Sequence, residues 1–247
     1  DMARGDMHCD GIDDIFVATT QKNFILQGDG KGGFAMIKDV LPNHSEPTRG
    51  VAVGDIDNDG DMDVLLANDN AYQNRLYYNN CNNVAKGQPW SFTDATYGTG
   101  KNFPVSGFNS KKALLADING DGWLDAMILN WGQADRVYFN KTGNFINDDG
   151  LHFPQNEKQP NSADGWLIDV DTDGDLDLIV KKYITTDRYW PALYLNDKAQ
   201  GGASTFTDAT AVNLPPYLGE IAFYLGIGDL NADGLPDIYV SKRDDQD

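Results

Sequence analysis

The sequence predicts an all-β fold made of repeated four-stranded antiparallel sheets. Three observations lead to this prediction: the acidic residues are nearly all aspartate, the apolar segments are short, and one aspartate-rich motif occurs five times. Only Glu46, Glu157 and Glu220 among the 38 acidic residues are glutamate. Because aspartate and glycine favour turns over helix interiors, this composition argues against helical bundles and coiled coils.

The repeated motif has the pattern D-x-[D/N]-x-D-G-x-x-D and organises the whole chain. Its copies lie at 6–14, 55–63, 117–125, 169–177 and 229–237, so their first residues are 49 to 62 positions apart. Each copy is followed at once by an apolar run (IFVA, VLLA, AMIL, LIVK, IYVS), and four copies are also preceded by one. Short runs of this composition, bounded by Gly, Asp and Asn, predict strands. Each aspartate loop is therefore predicted to join two neighbouring strands.

Two further strand patterns recur between the loops. After an aspartate loop and its apolar run comes an LY-type segment, as in NRLYYNN, DRVYFNK and PALYLND. A fourth apolar segment follows it, as in FAMIKDV, SFTDAT, NFIND and TFTDAT. Each repeat then consists of four antiparallel strands, which is the blade of a β-propeller. We interpret residues 1–247 as a single propeller domain or a fragment of one.

Strand counting predicts an open arc. The first blade is predicted to lack its opening strand and the fifth to end after its second strand, which gives 17 strands in four to five blades. A closed four-bladed ring needs one strand fewer. The chain is therefore predicted to be an arc of a larger propeller, completed by further blades or by a neighbouring chain.

The aspartate loops are candidate calcium sites. Side-chain oxygens at positions 1, 3, 5 and 9 and the backbone carbonyl at position 7 supply the oxygen ligands that Ca²⁺ requires, and glycine at position 6 permits a left-handed turn. The predicted ligands are Asp6, His8, Asp10, Ile12 and Asp14; Asp55, Asp57, Asp59, Asp61 and Asp63; Asp117, Asn119, Asp121, Trp123 and Asp125; Asp169, Asp171, Asp173, Asp175 and Asp177; and Asp229, Asn231, Asp233, Leu235 and Asp237. Position 12, where an EF-hand carries glutamate, is apolar in all five loops, which excludes an EF-hand.

The simpler alternative is that these loops are ordinary Asp-Gly turns between strands. Five copies with the same spacing favour calcium, because so many clustered carboxylates would repel one another without a cation. Up to five Ca²⁺ would change the formal net charge from −19 to −9. The loop with His8 is predicted to be weakest, since imidazole is a poor ligand for a hard cation.

With these motifs the sequence resembles the FG-GAP or VCBS repeat family, which includes the propeller of integrin α-subunits. The resemblance covers Asp6 to Ser241 and rests on the aspartate loops, the LYxN strands and the FTDAT strands. It implies an extracellular, calcium-bound β-propeller, commonly with about seven blades. Members usually serve in recognition or adhesion, and some are attached to polysaccharide-degrading enzymes.

These observations predict a secreted or cell-surface module that recognises a protein or a carbohydrate, with calcium mainly structural. No catalytic residues are predicted. The alternatives are the propeller of a polysaccharide lyase or hydrolase, and a structural subunit of a surface filament or sheath. With 19 basic against 38 acidic residues the chain has no basic stripe for nucleic acid, and it has no apolar run long enough for a membrane helix.

Three other features leave alternatives open. Cys9 and Cys81 can pair or stay free. Asn43 and Asn140 begin glycosylation sequons, which permit glycosylation without predicting it. The five tryptophans can pack between blades, the commoner role, or form sugar-stacking surfaces; they are Trp90, Trp123, Trp131, Trp166 and Trp190.

Overall fold

The structure, a computed structural model, confirms the all-β prediction. It describes residues 1–84, 89–97, 103–104, 107–147, 153–154, 161–185, 188–198, 205–216 and 222–242. The first blade contains β1 (Met2–Gly5), β2 (Asp14–Val17), β3 (Phe24–Gly28) and β4 (Phe34–Ile37). The second contains β5 (Thr48–Gly54), β6 (Asp63–Asn68), β7 (Arg75–Asn79) and β8 (Phe92–Asp94). The third contains β9 (Ser110–Ala116), β10 (Asp125–Asn130), β11 (Arg136–Lys141) and β12 (Asn144–Asn147).

The fourth blade contains β13 (Ser162–Ile168), β14 (Asp177–Thr185), β15 (Arg188–Asp197) and β16 (Thr205–Asp208), and a hairpin follows with β17 (Ala222–Gly228) and β18 (Asp237–Lys242). Within the described ranges the only helical elements are a short 3-10 helix, Cys81–Asn83, and a four-residue α-helix, Thr210–Asn213. Among those residues no helix has the length and apolar character to cross a membrane.

The described residues form 18 strands, so the prediction of 17 was wrong. The first blade does have an opening strand: β1 pairs antiparallel with β2, from Met2 opposite Val17 to Gly5 opposite Asp14. The segment has only four residues and carries Arg4 in place of an apolar side chain, and Met2 is 68% exposed. It therefore lacks the apolar run that precedes the other loops.

Each blade is an antiparallel sheet whose strands are paired in chain order. The first strands of neighbouring blades lie against one another, since β5 contacts both β1 and β9, and β9 contacts β13. The fifth hairpin joins the fourth blade through one backbone pairing, Tyr189 with Ala222. In the described residues the sheets do not close into a ring, and the larger propeller stays a prediction.

The core lies between the blades, because each central strand is apolar on both faces. All six residues of β6 and all six of β10 are buried. On β6, Val64 and Leu66 pack with Phe16 of the first blade, whereas Leu65 packs with Ile128 of the third. Burial on both faces explains why these strands read as continuous apolar runs and not as alternating patterns.

The fifth hairpin is covered on one face only. The third position of its second strand is Tyr239, which is 59% exposed, whereas the equivalent Leu65, Met127 and Ile179 are 0% exposed. Its neighbour Ile238 packs toward the fourth blade. At the opposite end of the arc, β4 of the first blade likewise exposes apolar side chains.

Truncation of equivalent residues should therefore have very different effects. Leu65→Ala removes side-chain volume from a closed core and should lower the free energy of unfolding by about 2–5 kcal/mol. Tyr239→Ala alters an exposed side chain and should change it by about 0.5 kcal/mol or less. Urea denaturation of both variants measures this difference, and equal losses would contradict the one-sided packing of the hairpin.

Candidate metal-binding loops

All five aspartate loops join the first strand of a blade to the second and fold in the same way. In the second loop the position-1 carboxylate of Asp55 accepts the backbone N–H groups of Asp59 and Gly60, both at 3.0 Å. Both equivalent hydrogen bonds form at Asp6, Asp117 and Asp229, and one of them at Asp169. The position-1 side chain thus folds the loop back on itself.

The position-5 carboxylate tightens the second half of each loop. It accepts the backbone N–H of position 7 in all five copies, at 2.8 to 3.1 Å. The pairs are Asp10 with Ile12, Asp59 with Asp61, Asp121 with Trp123, Asp173 with Asp175, and Asp233 with Leu235.

Two positions in each loop have left-handed backbone. The predicted role of glycine at position 6 is confirmed, with φ between +84° and +93° in the five loops. Position 4 is also left-handed, and there the residue is glycine only at Gly120; Cys9, Asn58, Thr172 and Ala232 have φ between +55° and +63°. The sequence pattern gave no signal for this second turn, because position 4 has no common residue type.

The position-9 carboxylates lie beneath the loops. Asp63 is 0% exposed and accepts the backbone N–H groups of Ile56 and Asn79, both at 2.9 Å. Burial raises the pKa of Asp63 to about 8, although those two N–H groups oppose the rise. Burial likewise raises the pKa of Asp125 to about 7, and raises the pKa of Asp177.

Carboxylates of positions 1, 3 and 9 converge in two loops. One oxygen each from Asp55, Asp57 and Asp63 lies within 4.8 Å of the others, and the same holds for Asp169, Asp171 and Asp177. These are the two loops with aspartate at all four side-chain positions. The position-5 residues Asp59 and Asp173 are not part of these groups.

The other three loops differ at position 3. Asn119 and Asn231 replace a carboxylate there, and Asn119 donates to Asp121 at 3.2 Å. In the first loop the His8 ring nitrogen Nδ1 lies 3.3 Å from Asp10 and also contacts Gln27. Among the described residues, none of these three loops gathers three acidic, cysteine or histidine ligand atoms.

The donors in the two acidic loops fit a hard cation. All are oxygens, and Oδ1 of Asp169 is buried without a hydrogen-bond partner in the described part of the chain. Burial raises the pKa of Asp63 and of Asp177, and a nearby cation would stabilise their charged forms. Ca²⁺ accepts oxygen ligands in flexible geometry and suits this donor set better than Mg²⁺, which requires near-ideal octahedral coordination.

Comparison with known proteins agrees with this architecture. Residues 6–66 and 169–240, more than half of the chain, match the FG-GAP-like repeat. The chain belongs to the FG-GAP-like repeat family. No curated protein sequence matches it significantly.

A similar solved structure is that of an Agrocybe aegerita lectin, described as recognising non-reducing terminal N-acetylglucosamine. The two share 17% sequence identity with a TM-score of 0.58, over 96% of this chain and 59% of the lectin chain. This likeness concerns the fold. The present chain thus spans about 59% of the lectin's length.

The asparagine of the LYxN strand connects successive FG-GAP-like repeats. The backbone N–H of Asn140 donates to Asp125 of its own loop at 2.8 Å, while its side chain donates to the carbonyl of Ile56 in the preceding loop at 2.8 Å. Asn79 and Asn196 make the equivalent contacts. The LYxN motif is visible in the sequence, but its role in joining repeats depends on contacts that the sequence does not show. Because the Asn140 side chain is buried and hydrogen-bonded, a glycan on it would displace these contacts.

Cys9 and Cys81 form a disulfide, with their Cα atoms 5.9 Å apart. Cys9 is position 4 of the first loop, and Cys81 follows β7 of the second blade by two residues. The adjacent Asn82 donates its backbone N–H to the buried carboxylate of Asp61 at 3.0 Å. The disulfide therefore joins the first loop to the segment that covers the second.

Asn140→Ala should lower the free energy of unfolding by about 1–3 kcal/mol, because it leaves buried carbonyl groups of two repeats without their donor. Asn43→Ala is the matched control, since Asn43 begins the other sequon and is exposed. It should change stability by about 0.5 kcal/mol or less. Chemical denaturation measures both, and an Asn140→Ala variant as stable as the control would contradict the bridging role.

The metal-free protein should become less stable as the pH rises from about 5 to 8. Asp63 and Asp125 keep their protons to higher pH when folded than when unfolded, so the folded state binds more protons in this range. Melting temperatures in EDTA at several pH values measure the slope. Asp63→Asn should make it shallower, and a melting temperature that rises toward pH 8 would contradict the prediction.

Proposed function

We propose that this chain is a calcium-stabilised recognition module that acts outside the cell. The convergence of Asp169, Asp171 and Asp177, with a buried oxygen of Asp169 lacking a partner, is the observation that carries the calcium assignment. The equivalent residues of the second loop support it. Membership of the FG-GAP-like repeat family and the lectin-like fold support a recognition role.

The position of the loops favours a structural role for calcium. A cation held by Asp55, Asp57 and Asp63 would fix the turn between β5 and β6, and Asp63 in turn holds the backbone of Asn79. The side chain of Asn79 reaches the carbonyl of Met7 in the preceding repeat. Calcium in one loop would therefore stabilise both its own blade and the junction with its neighbour.

The disulfide between Cys9 and Cys81 supports an extracellular location, because disulfides persist in oxidising compartments. Extracellular calcium modules also tolerate weak sites, with dissociation constants on the order of 10⁻⁴ to 10⁻³ M. Weak binding fits the loops that have asparagine or histidine at position 3.

The ligand is proposed to be a protein or a carbohydrate. The carbohydrate alternative is supported by the lectin of similar fold, whose described ligand is a terminal N-acetylglucosamine. Because one fold serves many functions, this support is by analogy. The net charge of −19 argues against nucleic acid as the partner.

Calcium should raise the melting temperature substantially over that in EDTA. Each site filled at a free calcium concentration of 100 times its dissociation constant adds about 2.7 kcal/mol to stability. Circular dichroism melts in calcium, magnesium and EDTA measure the effect, and calorimetric titration counts the sites. Magnesium should produce a smaller shift.

Asp171→Asn tests the fourth loop and should reduce the calcium-dependent shift. Asp39→Asn is its control, because Asp39 is exposed, lies outside the loops and has a left-handed backbone that asparagine tolerates. Identical melting in calcium and EDTA, with no heat of binding, would contradict the proposed role of calcium.

A further inference from the structure

The β14–β15 hairpin of the fourth blade is longer than its counterparts. β14 has nine residues and β15 has ten, whereas the second and third strands of the second and third blades have five or six. The equivalent strands of the second and third blades are shorter: β6 ends at Asn68, opposite Thr48, and β10 ends at Asn130, opposite Ser110. Lys182 occupies this position in β14, opposite Ser162, and the strand continues beyond it. The extension is not needed to complete the blade.

The extension contributes Tyr183 and Tyr189 to a row of aromatic rings, which we call the aromatic ridge and which also includes Trp131 and Tyr224. The ring centroids of Trp131 and Tyr183 are 4.6 Å apart, and those of Tyr183 and Tyr189 are 5.2 Å apart. The amine of Lys181 lies 4.1 Å from the centroid of Tyr189 and 5.7 Å from that of Tyr224. The ridge thus runs from the third blade across the fourth to the fifth hairpin.

Core packing does not account for these rings. Trp90 is an example of a tryptophan that packs in the core, since it is 9% exposed and contacts Phe92 in the apolar cluster between the first and second blades. By contrast, Tyr224 is 73% exposed, and Trp131 and Tyr183 are half-buried and belong to none of the core clusters. Cross-strand pairing of Tyr183 with Tyr189 stabilises the hairpin, but it does not require a hairpin of this length.

The ridge lies at the opposite end of the strands from the aspartate loops. The loop at 169–177 enters β14 at Asp177, whereas Tyr183 follows Lys182 near the other end of this strand and pairs there with Tyr189 of β15. Amines also gather there: Lys111 lies 5.8 Å from the Trp131 centroid and 2.7 Å from Asp69, and Lys181 lies between Tyr189 and Tyr224. Despite the charge of −19, this end of the arc therefore places two amines beside the aromatic ridge.

We propose that the aromatic ridge binds the pyranose rings of a saccharide chain. A pyranose has an apolar face that can lie against an aromatic ring and a rim of hydroxyl groups that accept hydrogen bonds from lysine amines. Nucleic acid bases also stack on aromatic rings, but their phosphates require a cationic groove that this acidic protein lacks. The inference rests on the proposed recognition function and adds a ligand class and a place on the fold.

Binding of fluorescently labelled protein to an array of neutral and acidic saccharides tests the proposal, followed by calorimetry with the best-bound oligosaccharide. Tyr224→Ala and Trp131→Ala should each weaken binding about tenfold, and Tyr239→Ala should leave it unchanged. Tyr224 and Tyr239 are matched, since both are exposed tyrosines of the fifth hairpin and only Tyr224 lies on the ridge. Because Tyr224 is exposed, its truncation should leave the melting temperature unchanged.

Lys181→Ala distinguishes the two kinds of saccharide. If the ligand carries carboxylate or sulfate groups, the loss of affinity should be large and should decrease with added salt. For a neutral saccharide the loss should be smaller and insensitive to salt. Both results support the ridge as the binding site.

Two results would overturn the proposal. If wild-type protein retained no saccharide on the array, the ridge would not be a saccharide site, although a calcium-dependent melt would still support the proposed module. If saccharide binding survived both Tyr224→Ala and Trp131→Ala, the proposed recognition function would stand and the ridge would be excluded as its site.

Discussion

The buried aspartate at position 9 is the constraint on which the blades depend. Both oxygens of Asp63 are engaged by backbone N–H groups, one from its own loop and one from the third strand. This single side chain therefore fixes the relative positions of three strands. A buried carboxylate is tolerated there because the N–H groups oppose the effect of desolvation, and a cation in the loop would oppose it further.

The same constraint determines how each repeat is positioned on the one before it. Asp125 accepts the backbone N–H of Asn140 near the end of the third strand, and the side chain of Asn140 hydrogen-bonds to the preceding loop. Apolar contacts between blades are not directional, whereas this hydrogen bond requires a defined register. The hydrogen bonds that run from each loop through its asparagine to the preceding loop therefore set how each blade sits on its neighbour, and the apolar core supplies most of the stability.

The sequence was sufficient to predict the loops, all but one of the strands that flank them and the all-β fold, because the aspartate motif and the apolar runs recur at nearly regular spacing. Local patterns failed where tertiary contacts decide the structure. β1 is a strand because it pairs with β2, although Arg4 interrupts its apolar character. Pairing of Cys9 with Cys81 depends on two repeats being adjacent in space, and the longer β14–β15 hairpin left no signal distinct from its neighbours.

The disulfide has a consequence for the mechanics of the arc. At the first junction the disulfide joins Cys9, position 4 of the first loop, to Cys81, which lies two residues after Asn79 of the second repeat. At the third junction the pair is Gly120 with Lys198, whose amine occupies the space that a Cβ on Gly120 would need. One junction is thus covalently cross-linked, while the fifth hairpin is held to the fourth blade by one backbone pairing and by apolar contacts such as that of Ile238. The first two repeats therefore cannot separate unless the disulfide is reduced, whereas the hairpin that carries Tyr224 has no such cross-link.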